Sequence, residues 1–298
     1  MRTLIVGSGF VGRAVADRLA RAGERPVLAS RRPPQHAPAP WTPLDVTDPA
    51  SCARVLADTA AEQVVLVHGP SDVTWCDRHP DEAMAGHETA ARNMRAAADD
   101  RRLVLISTDN VFDGSRPDCA EATPTAPPNA YGRAKLAAEQ VFAGHAAATV
   151  LRVSLVYGWE PADSAKWLNF FAACAHRLLA GEPVAVPHDQ WTTPVLVDDV
   201  AAVTAAVLTA RDVPLLHLGG PDRISRADWA LLIAAELGVD PGLVVAEPRA
   251  AGRYAGRPEN TCLTSTLLSR LPATAGVPVR GVREAARLLV AAGVRAAR

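Results

Sequence analysis

"TLIVGSGFVG", residues 3–12, decides the fold. Residues 3–6 read as a short, apolar, buried strand. Gly7, Gly9 and Gly12 follow at the spacing G-x-G-x-x-G. Residues 10–23, "FVGRAVADRLARAG", carry apolar side chains at helical spacing, with Gly23 as the stop signal. Glycines between a strand and a helix let backbone N–H groups approach a pyrophosphate, and the helix N-terminus adds partial positive charge. The same glycines also suit a tight turn without a ligand. The position of the motif between strand and helix favours the phosphate.

The alternation continues outward from this stretch. "PVLAS" (26–30), "QVVLVHG" (63–69), "RLVLIST" (102–108) and "ATVLRVS" (148–154) read as strands. Residues 48–59, 81–100 and 130–144 read as the helices between them. Strand–helix alternation with fully apolar strands predicts an α/β fold: a Rossmann-type, doubly wound parallel sheet covered on both faces. Beyond residue 157 the rhythm loosens into shorter pieces. The expected organisation is a nucleotide-binding domain over 1–156 and a smaller substrate-binding lobe over 157–298, partly interleaved with the sheet.

The second strand ends in Ser30, Arg31 and Arg32, where an NAD-preferring site carries an acid for the ribose 2′-hydroxyl. Guanidinium groups attract a 2′-phosphate and bind it bidentately. NADP(H) is therefore the favoured cofactor, with NAD(H) as the alternative; two solvated loop arginines are the plain reading. Asp45 closes the third strand, placed either to reach an adenine amino group or to lead into a helix capped by Asp48.

"YGRAK" (131–135) joins one of three tyrosines to one of two lysines. On a helix, residues four apart share a face. An ammonium beside a phenol lowers the phenol pKa, and the phenol can deliver a proton to a carbonyl oxygen as hydride reaches its carbon. The competing reading is a surface helix pair. Ser107 and Thr108 leave the carboxyl end of the fifth strand, where open α/β sheets place their ligands. A hydroxyl there orients a carbonyl toward Tyr131.

These segments resemble the extended short-chain dehydrogenase/reductases, and within them the dTDP-4-dehydrorhamnose reductase group. "STDNVFDG" is similar to that group's S-T-D-Y-V-F-x-G, and "PPNAYGRAKLAAEQ" to its P-x-x-x-Y-G-x-[ST]-K-x-x-[GA]-E. "LRVSLVYG", "LNFF", "PHDQWTTPVLVDDVA" and "RPENTCLTSTLL" follow in order, so the likeness covers nearly the whole chain. The resemblance implies Thr108, Tyr131 and Lys135 as catalytic residues, Tyr131 as general acid, and Lys135 on the nicotinamide ribose. Its implied cofactor-facing set adds Phe10, Val11, Val46, His68, Gly69, Pro70 and His87 to the glycines, Ser30, Arg31, Arg32 and Asp45. Asn110, Asn169, Gln190, Trp191, Thr193 and Arg257 are the implied substrate contacts, with Arg253 as a second candidate for a diphosphate.

Four departures bear on the substrate. The glycine loop is one residue shorter than the group's, and Asn110 replaces its tyrosine. His87 stands where the group has an Asn, either in that residue's role or as a satisfied helix histidine. "VHGPSDVTWCDRHP" replaces its usual strand end, bringing in Trp75 and His79. Thr108-Asp109-Asn110 lacks the Glu of a 4,6-dehydratase, and Arg31 and Arg32 argue against an NAD-retaining epimerase. A 4-ketoreductase acting on a sugar nucleotide or sugar-like ketone is the expectation. The alternatives are a non-catalytic NADP-binding regulatory subunit, an epimerase, or a reductase of a non-sugar carbonyl. Trp167, Phe170 and Phe171 read equally as lobe packing.

With 31 basic and 32 acidic residues, charge gives no reason to expect nucleic acid or an anionic membrane as partner. No apolar run is long enough to span a bilayer. Five scattered cysteines without a C-x-x-C pair fit a reduced, cytoplasmic protein and no structural metal. A small-molecule substrate is the expected partner, together with a homodimer.

Overall fold

The computed structural model describes residues 1–162, 167–251, 254 and 256–296. Arg253 and Lys166 lie outside them. β1 (Arg2–Val6) leads through the glycine turn into α1 (Phe10–Arg21), then β2 (Arg25–Ser30) and β3 (Trp41–Pro43). α2 (Pro49–Thr59) and β4 (Gln63–Leu66) follow, then the short α3 (Val73–Arg78) and α4 (Pro80–Met84). A π turn (Ala85–Thr89) joins α4 to α5 (Ala90–Ala98), before β5 (Arg102–Thr108), α6 (Ala130–Val141) and β6 (Ala148–Val153). The single long helix expected over 81–100 is thus interrupted, and the interruption carries His87. Such π turns concentrate at functional sites.

The remaining elements are β7 (Val156–Tyr157), α7 (Phe170–Leu179), β8 (Val184–Pro187), β9 (Trp191–Thr192), β10 (Val195–Leu196) and α8 (Val197–Thr209). β11 (Leu215–Leu218), β12 (Ile224–Ser225), α9 (Arg226–Leu237), β13 (Val244–Glu247), β14 (Asn260–Thr261) and α10 (Val282–Ala296) complete the chain.

The main sheet has seven strands in the order β11-β6-β5-β4-β1-β2-β3, all parallel. Its two faces carry separate apolar clusters. One joins Leu4, Leu56, Leu66, Met94 and Leu105 under α2 and α5. The other joins Ile5, Leu19, Leu28 and Leu151 to Val200, Val203 and Val207 of α8. β11 and α8 come from beyond residue 157, so the second half of the chain supplies both an edge strand and a covering helix. A third cluster, centred on Phe171, Tyr157 and Trp229, packs α7 against α9.

Two glycines explain the first turn. Gly7 holds φ +116°, and a Cβ on it would stand 2.8 Å from the Val67 carbonyl oxygen. A Cβ on Gly12 would stand 1.9 Å from the Gly7 carbonyl oxygen, so α1 seats against the turn only without a side chain there.

Candidate active site

The carboxyl end of β5 and the first two turns of α6 meet through small and capping residues. Asn129 caps α6 by accepting from Gly132 N at 2.8 Å, and Asp77 of α3 accepts from Ala130 N at 2.8 Å. A Cβ on Gly132 would lie 2.1 Å from the Asn110 carbonyl oxygen, so only glycine lets the helix approach this closely. Asn110 Nδ2 donates to Asp109 Oδ1 at 2.8 Å and lies 3.3 Å from Thr108 Oγ1. Its Oδ1 accepts from Asn129 Nδ2 at 3.2 Å. Asn110, expected as a substrate contact, thus spends its amide tying the strand end to the helix cap.

Thr108 and Tyr131 are neighbours: burial pushes the phenol pKa up, and the nearby Thr108 hydroxyl opposes it by favouring the ionised form. Lys135 turns toward the strand. Its ammonium donates to the Ile106 carbonyl at 2.6 Å, and burial lowers it to about 8 while Glu139 raises it. One helical turn beyond Tyr131, the lysine reaches the Ile106 carbonyl near the carboxyl end of β5, an interior strand of the sheet. Glu139 is itself pinned by the Ser107 hydroxyl and by Arg152 at 2.7 Å, a pair buried on both sides. Asp109 is buried, and burial pushes its carboxyl up to about 6 against hydrogen bonds from Ser154, Asn110 and Thr108.

The two histidines flank this group. His87 is buried with its ring edge-on to Tyr131 at 5.8 Å, and its Nε2 donates to the Pro70 carbonyl at 2.9 Å. That bond fixes the tautomer and leaves Nδ1 as the acceptor. Gly69 makes room: at φ +103°, a Cβ would stand 2.2 Å from the His87 ring. His68 lies 6.3 Å from His87, and both of its ring nitrogens are sealed from solvent without a partner. Burial, then the charge of Lys135, holds His68 down at about 3, so it is neutral at ordinary pH. Trp75 stacks on His79 at 4.6 Å and packs with Tyr131, Cys76 and Ala134. The unusual "VTWCDRHP" stretch therefore forms a helical wall behind Tyr131.

The nucleotide end fits a dinucleotide phosphate. Gly9 caps α1 with no side-chain bond, no acid stands in the first turn, and a Cβ on Gly9 would meet nothing within 4 Å. Phe10 and Val11 open the helix, and Phe10 packs where Gly158 leaves room, a Cβ there lying 2.8 Å from its ring. Arg31 and Arg32 are exposed, and neither is in an ion pair with a described residue. Ser30, expected on the cofactor, holds its hydroxyl against Ser8 Oγ at 2.7 Å, Trp41 Nε1 at 3.0 Å and the Arg32 carbonyl at 2.7 Å. Asp45 accepts from Thr47 N at 3.0 Å and Oγ1 at 2.7 Å, which with the Arg31 charge lowers its pKa. That local turn supports the loop-acid reading. The Val46 carbonyl accepts from Asn93 Nδ2 at 3.1 Å, while its side chain packs on the core.

In the second half, several expected substrate contacts make bonds within the scaffold. Asn169 caps α7 and bonds the Gly158 carbonyl and Glu160 Oε2, both at 2.9 Å. Thr193 Oγ1 is buried between the backbone N and O of Leu263. Trp191 carries Arg223 on its face at 4.2 Å. Phe170 and Phe171 are buried as packing residues, but Trp167 is 78% exposed and does not pack the lobe. Gln190 is buried with Nε2 on the Pro258 carbonyl at 3.0 Å and Oε1 unpartnered. Arg257 lies 5.3 Å from the Tyr254 ring centre.

One residue was invisible to motif reading. Arg226, the first residue of α9, is 5% exposed, with its guanidinium over Phe170 at 4.6 Å and Tyr254 at 5.7 Å. Among the described residues none hydrogen-bonds or ion-pairs with that guanidinium, and its Nε is sealed from solvent. Removing a charge from water costs several kcal/mol, of which each aromatic face returns ~1–2 kcal/mol. An arginine after a short strand at a helix start gives no sequence signal for this. Only the tertiary structure puts it inside.

The chain is 32% identical to a dTDP-4-dehydrorhamnose reductase of Mycolicibacterium smegmatis, covering 99% of this chain and 86% of that one. It is 33% identical to a probable dTDP-4,6-dihydroxy-2-methyloxan-3-one 4-ketoreductase of Streptomyces antibioticus, covering 96% and 94%. Among solved structures it is similar in fold to a dTDP-4-dehydrorhamnose reductase of Bacillus anthracis in complex with NADP, with a TM-score of 0.81, 21% identity and coverage of 98% and 99%. The model of the RmlD substrate binding domain matches residues 1–293, and the chain belongs to that family.

Proposed function

We propose that this chain is an NADPH-dependent reductase of a ketone on a sugar or sugar-nucleotide substrate. The observation that carries this is the convergence of the Thr108 hydroxyl and the Tyr131 phenol at the carboxyl end of β5. When bound, NADPH supplies the hydride. The N-terminus of α1 holds the pyrophosphate, and Arg31 and Arg32 hold the 2′-phosphate. Lys135 and His68 stand close to one another beside this site, the charge of Lys135 reaching the imidazole. Residues 1–156 form the cofactor-binding body, and residues 157–298 shape the substrate side while lending β11 and α8 to the sheet.

Tyr131 orients the carbonyl and gives it a proton. Burial keeps the phenol protonated until hydride arrives, and the Thr108 hydroxyl stabilises the phenolate left behind. A raised pKa suits a donor that must hold its proton. Lys135, near 8, carries charge through neutral pH and returns positive potential to this pocket. His87, tautomer fixed by Pro70, presents Nδ1 as an acceptor beside Tyr131.

The cofactor reading is tested by fluorescence titration of NADPH and NADH on wild type and on Arg31→Ala/Arg32→Ala. Wild type should favour NADPH, and the double variant should lose about 10- to 100-fold in NADPH affinity with NADH unchanged. Equal affinity for both cofactors in wild type removes the case for the arginines.

A further inference from the structure

Tyr131, Lys135 and Glu139 follow one another at intervals of four residues on α6, so they form one stripe along the helix. The inner end of the stripe is fastened to β5. Lys135 Nζ donates to the Ile106 carbonyl at 2.6 Å, and the Ser107 hydroxyl donates to Glu139 Oε1. Two successive turns of the helix are thus tied to two successive residues of the strand, directly ahead of Thr108. Arg152 of β6 grips the same carboxylate as a fork, with Nη2 on Oε2 at 2.7 Å and Nε on Oε1 at 3.1 Å. Behind it, His217 of β11 turns Nδ1–H to the Cys119 and Thr264 carbonyls, at 3.1 and 3.2 Å, and its Nε2 accepts from Arg152 Nη1 at 3.3 Å. The clamp joins α6 to three neighbouring strands, and Lys135, Glu139, Arg152 and His217 are all buried.

The charges in this clamp do not balance. Lys135 and Arg152 are two buried cations, and Glu139 is the carboxylate they share. The other groups facing Lys135 bring no free negative charge. His68, beyond β4, and His87, in the π turn, are held neutral first by burial and then by the Lys135 charge itself. Asp109 is engaged by Ser154 and Asn110 at the strand end. Asp77 of α3 is spent on Ala130 N at the start of the helix, and Arg95 of α5 on the Val141 carbonyl at its end. Burial draws the Lys135 ammonium toward its neutral form, and Glu139 is the charged group that opposes this.

We infer that Glu139 is a positioning residue for the reduction: it keeps Lys135 charged beside Tyr131 and holds α6 in register with Thr108, without itself touching the substrate. This rests on the reading that Tyr131 gives its proton to a carbonyl, and it extends that reading one helical turn beyond Lys135. Because the carboxylate is shared, the two members of the buried pair act on Lys135 with opposite sign. Removing the Glu139 charge leaves two uncompensated cations, and Lys135 gives up its proton more readily. Removing the Arg152 charge leaves the carboxylate to Lys135 alone, and the ammonium holds its proton more tightly. A purely structural pair predicts no such opposition, since breaking it from either side loosens the same clamp.

The chain has only two lysines, Lys135 and Lys166, which makes the charge directly measurable. The full chain is labelled with carbon-13 at lysine Cε, and the signal that survives Lys166→Arg is that of Lys135. Its titration is followed by NMR in wild type, Glu139→Gln and Arg152→Met. Wild type should titrate at about 8. Glu139→Gln should titrate at least about one pH unit lower and Arg152→Met at least about one pH unit higher, while both melt below wild type. Turnover of a dTDP-linked ketosugar with NADPH needs the charged lysine, so it falls as pH rises through that value. The fall should set in at lower pH in Glu139→Gln and at higher pH in Arg152→Met.

A Lys135 that titrates alike in all three proteins overturns the inference, as do shifts of both variants in the same direction. Should one variant fail to fold, the other decides by the direction of its shift. A wild-type Lys135 that titrates at about 10.4, the value of a free lysine, overturns the inference without any variant. Opposed shifts in a chain that reduces no ketosugar strike the proposed function and leave the hold of Glu139 on Lys135 standing. Normal turnover with an unmoved lysine strikes this inference alone.

Discussion

The two halves of the groove handle polar groups in opposite ways. On the cofactor side, donors are left open: the first turn of α1 has no side-chain cap, and Arg31 and Arg32 stand exposed without an ion pair to a described residue. On the substrate side, the polar residues are mostly spent on structure. Asn169 caps a helix, Thr193 bridges a strand pair, and Asn110 ties a loop to a helix. Among the described residues, the buried atoms left there without a hydrogen bond include Gln190 Oε1, Arg226 Nε, Tyr157 Oη and Trp229 Nε1. A backbone-built phosphate site is generic and needs little more than glycines. A site for one particular substrate must be rigid, and that rigidity consumes the side chains that motif reading assigns to the ligand.

The sharpest test of the contrast lies where the halves meet. Tyr131→Phe removes the proton donor and no hydrogen bond that holds the fold, since among the described residues none bonds the phenol oxygen. Turnover of a dTDP-linked ketosugar should fall by about 100-fold or more, with NADPH affinity unchanged. Retained turnover would assign the proton to another group, and Asp109, at about 6, is the neighbour able to hold one.

The cofactor half was legible because its chemistry is local. Gly12 is required by a contact with Gly7 in its own turn, and Gly7 by its positive φ, so spacing alone reveals them even though Gly7 also backs onto Val67 from a distant segment. Tyr131 and Lys135 share a helix face, and that too is a local fact. The route of the Lys135 ammonium to the Ile106 carbonyl was not legible, because it depends on how deeply α6 lies under the sheet end. The break in the helix at 85–89 escaped for a similar reason: no proline or glycine pair marks a π turn, and His87 occupies it by packing against Gly69 and Pro70. In the second half, roles are set by residues distant in sequence. Arg226 packs over Phe170 and Tyr254, which lie on two other segments. No window of sequence contains that packing.

An effect of intermediate size separates the open groove from the packed lobe by pH. His68 is held near 3 in the folded chain against 6.5 for a free imidazole, first by burial and then by Lys135. Between those values the unfolded chain binds the proton and the folded chain does not. Stability contributed here is therefore intact above about pH 6.5 and is lost as pH falls toward 3. At pH 5 the loss should be about 2 kcal/mol, and His68→Leu should remove most of it. Asp109 works the other way: raised to about 6, it binds protons in the folded state first and favours folding on the acid side of that value. Melting temperatures at pH 7 and 5 for wild type and His68→Leu check this. The same pH sensitivity in both would mean that His68 reaches solvent.

The smallest effect bears on the lobe itself. If Asn169 serves α7 rather than the substrate, Asn169→Ala removes a cap bond to Ala172 N and the bonds to Gly158 and Glu160. Cap loss costs about 1 kcal/mol, which for a chain of this size lowers Tm by about 2–4 °C. The KM for a dTDP-linked ketosugar should hold within about twofold, since the side chain has no amide left for a ligand. Arg31→Ala/Arg32→Ala should do the reverse, weakening NADPH binding while sparing Tm, since both side chains are exposed. The pair of variants forms a crossed test. Scaffold residues move stability without affinity, and ligand residues move affinity without stability. A KM raised about tenfold by Asn169→Ala with Tm unchanged would return Asn169 to the substrate and show that the cap opens when ligand binds.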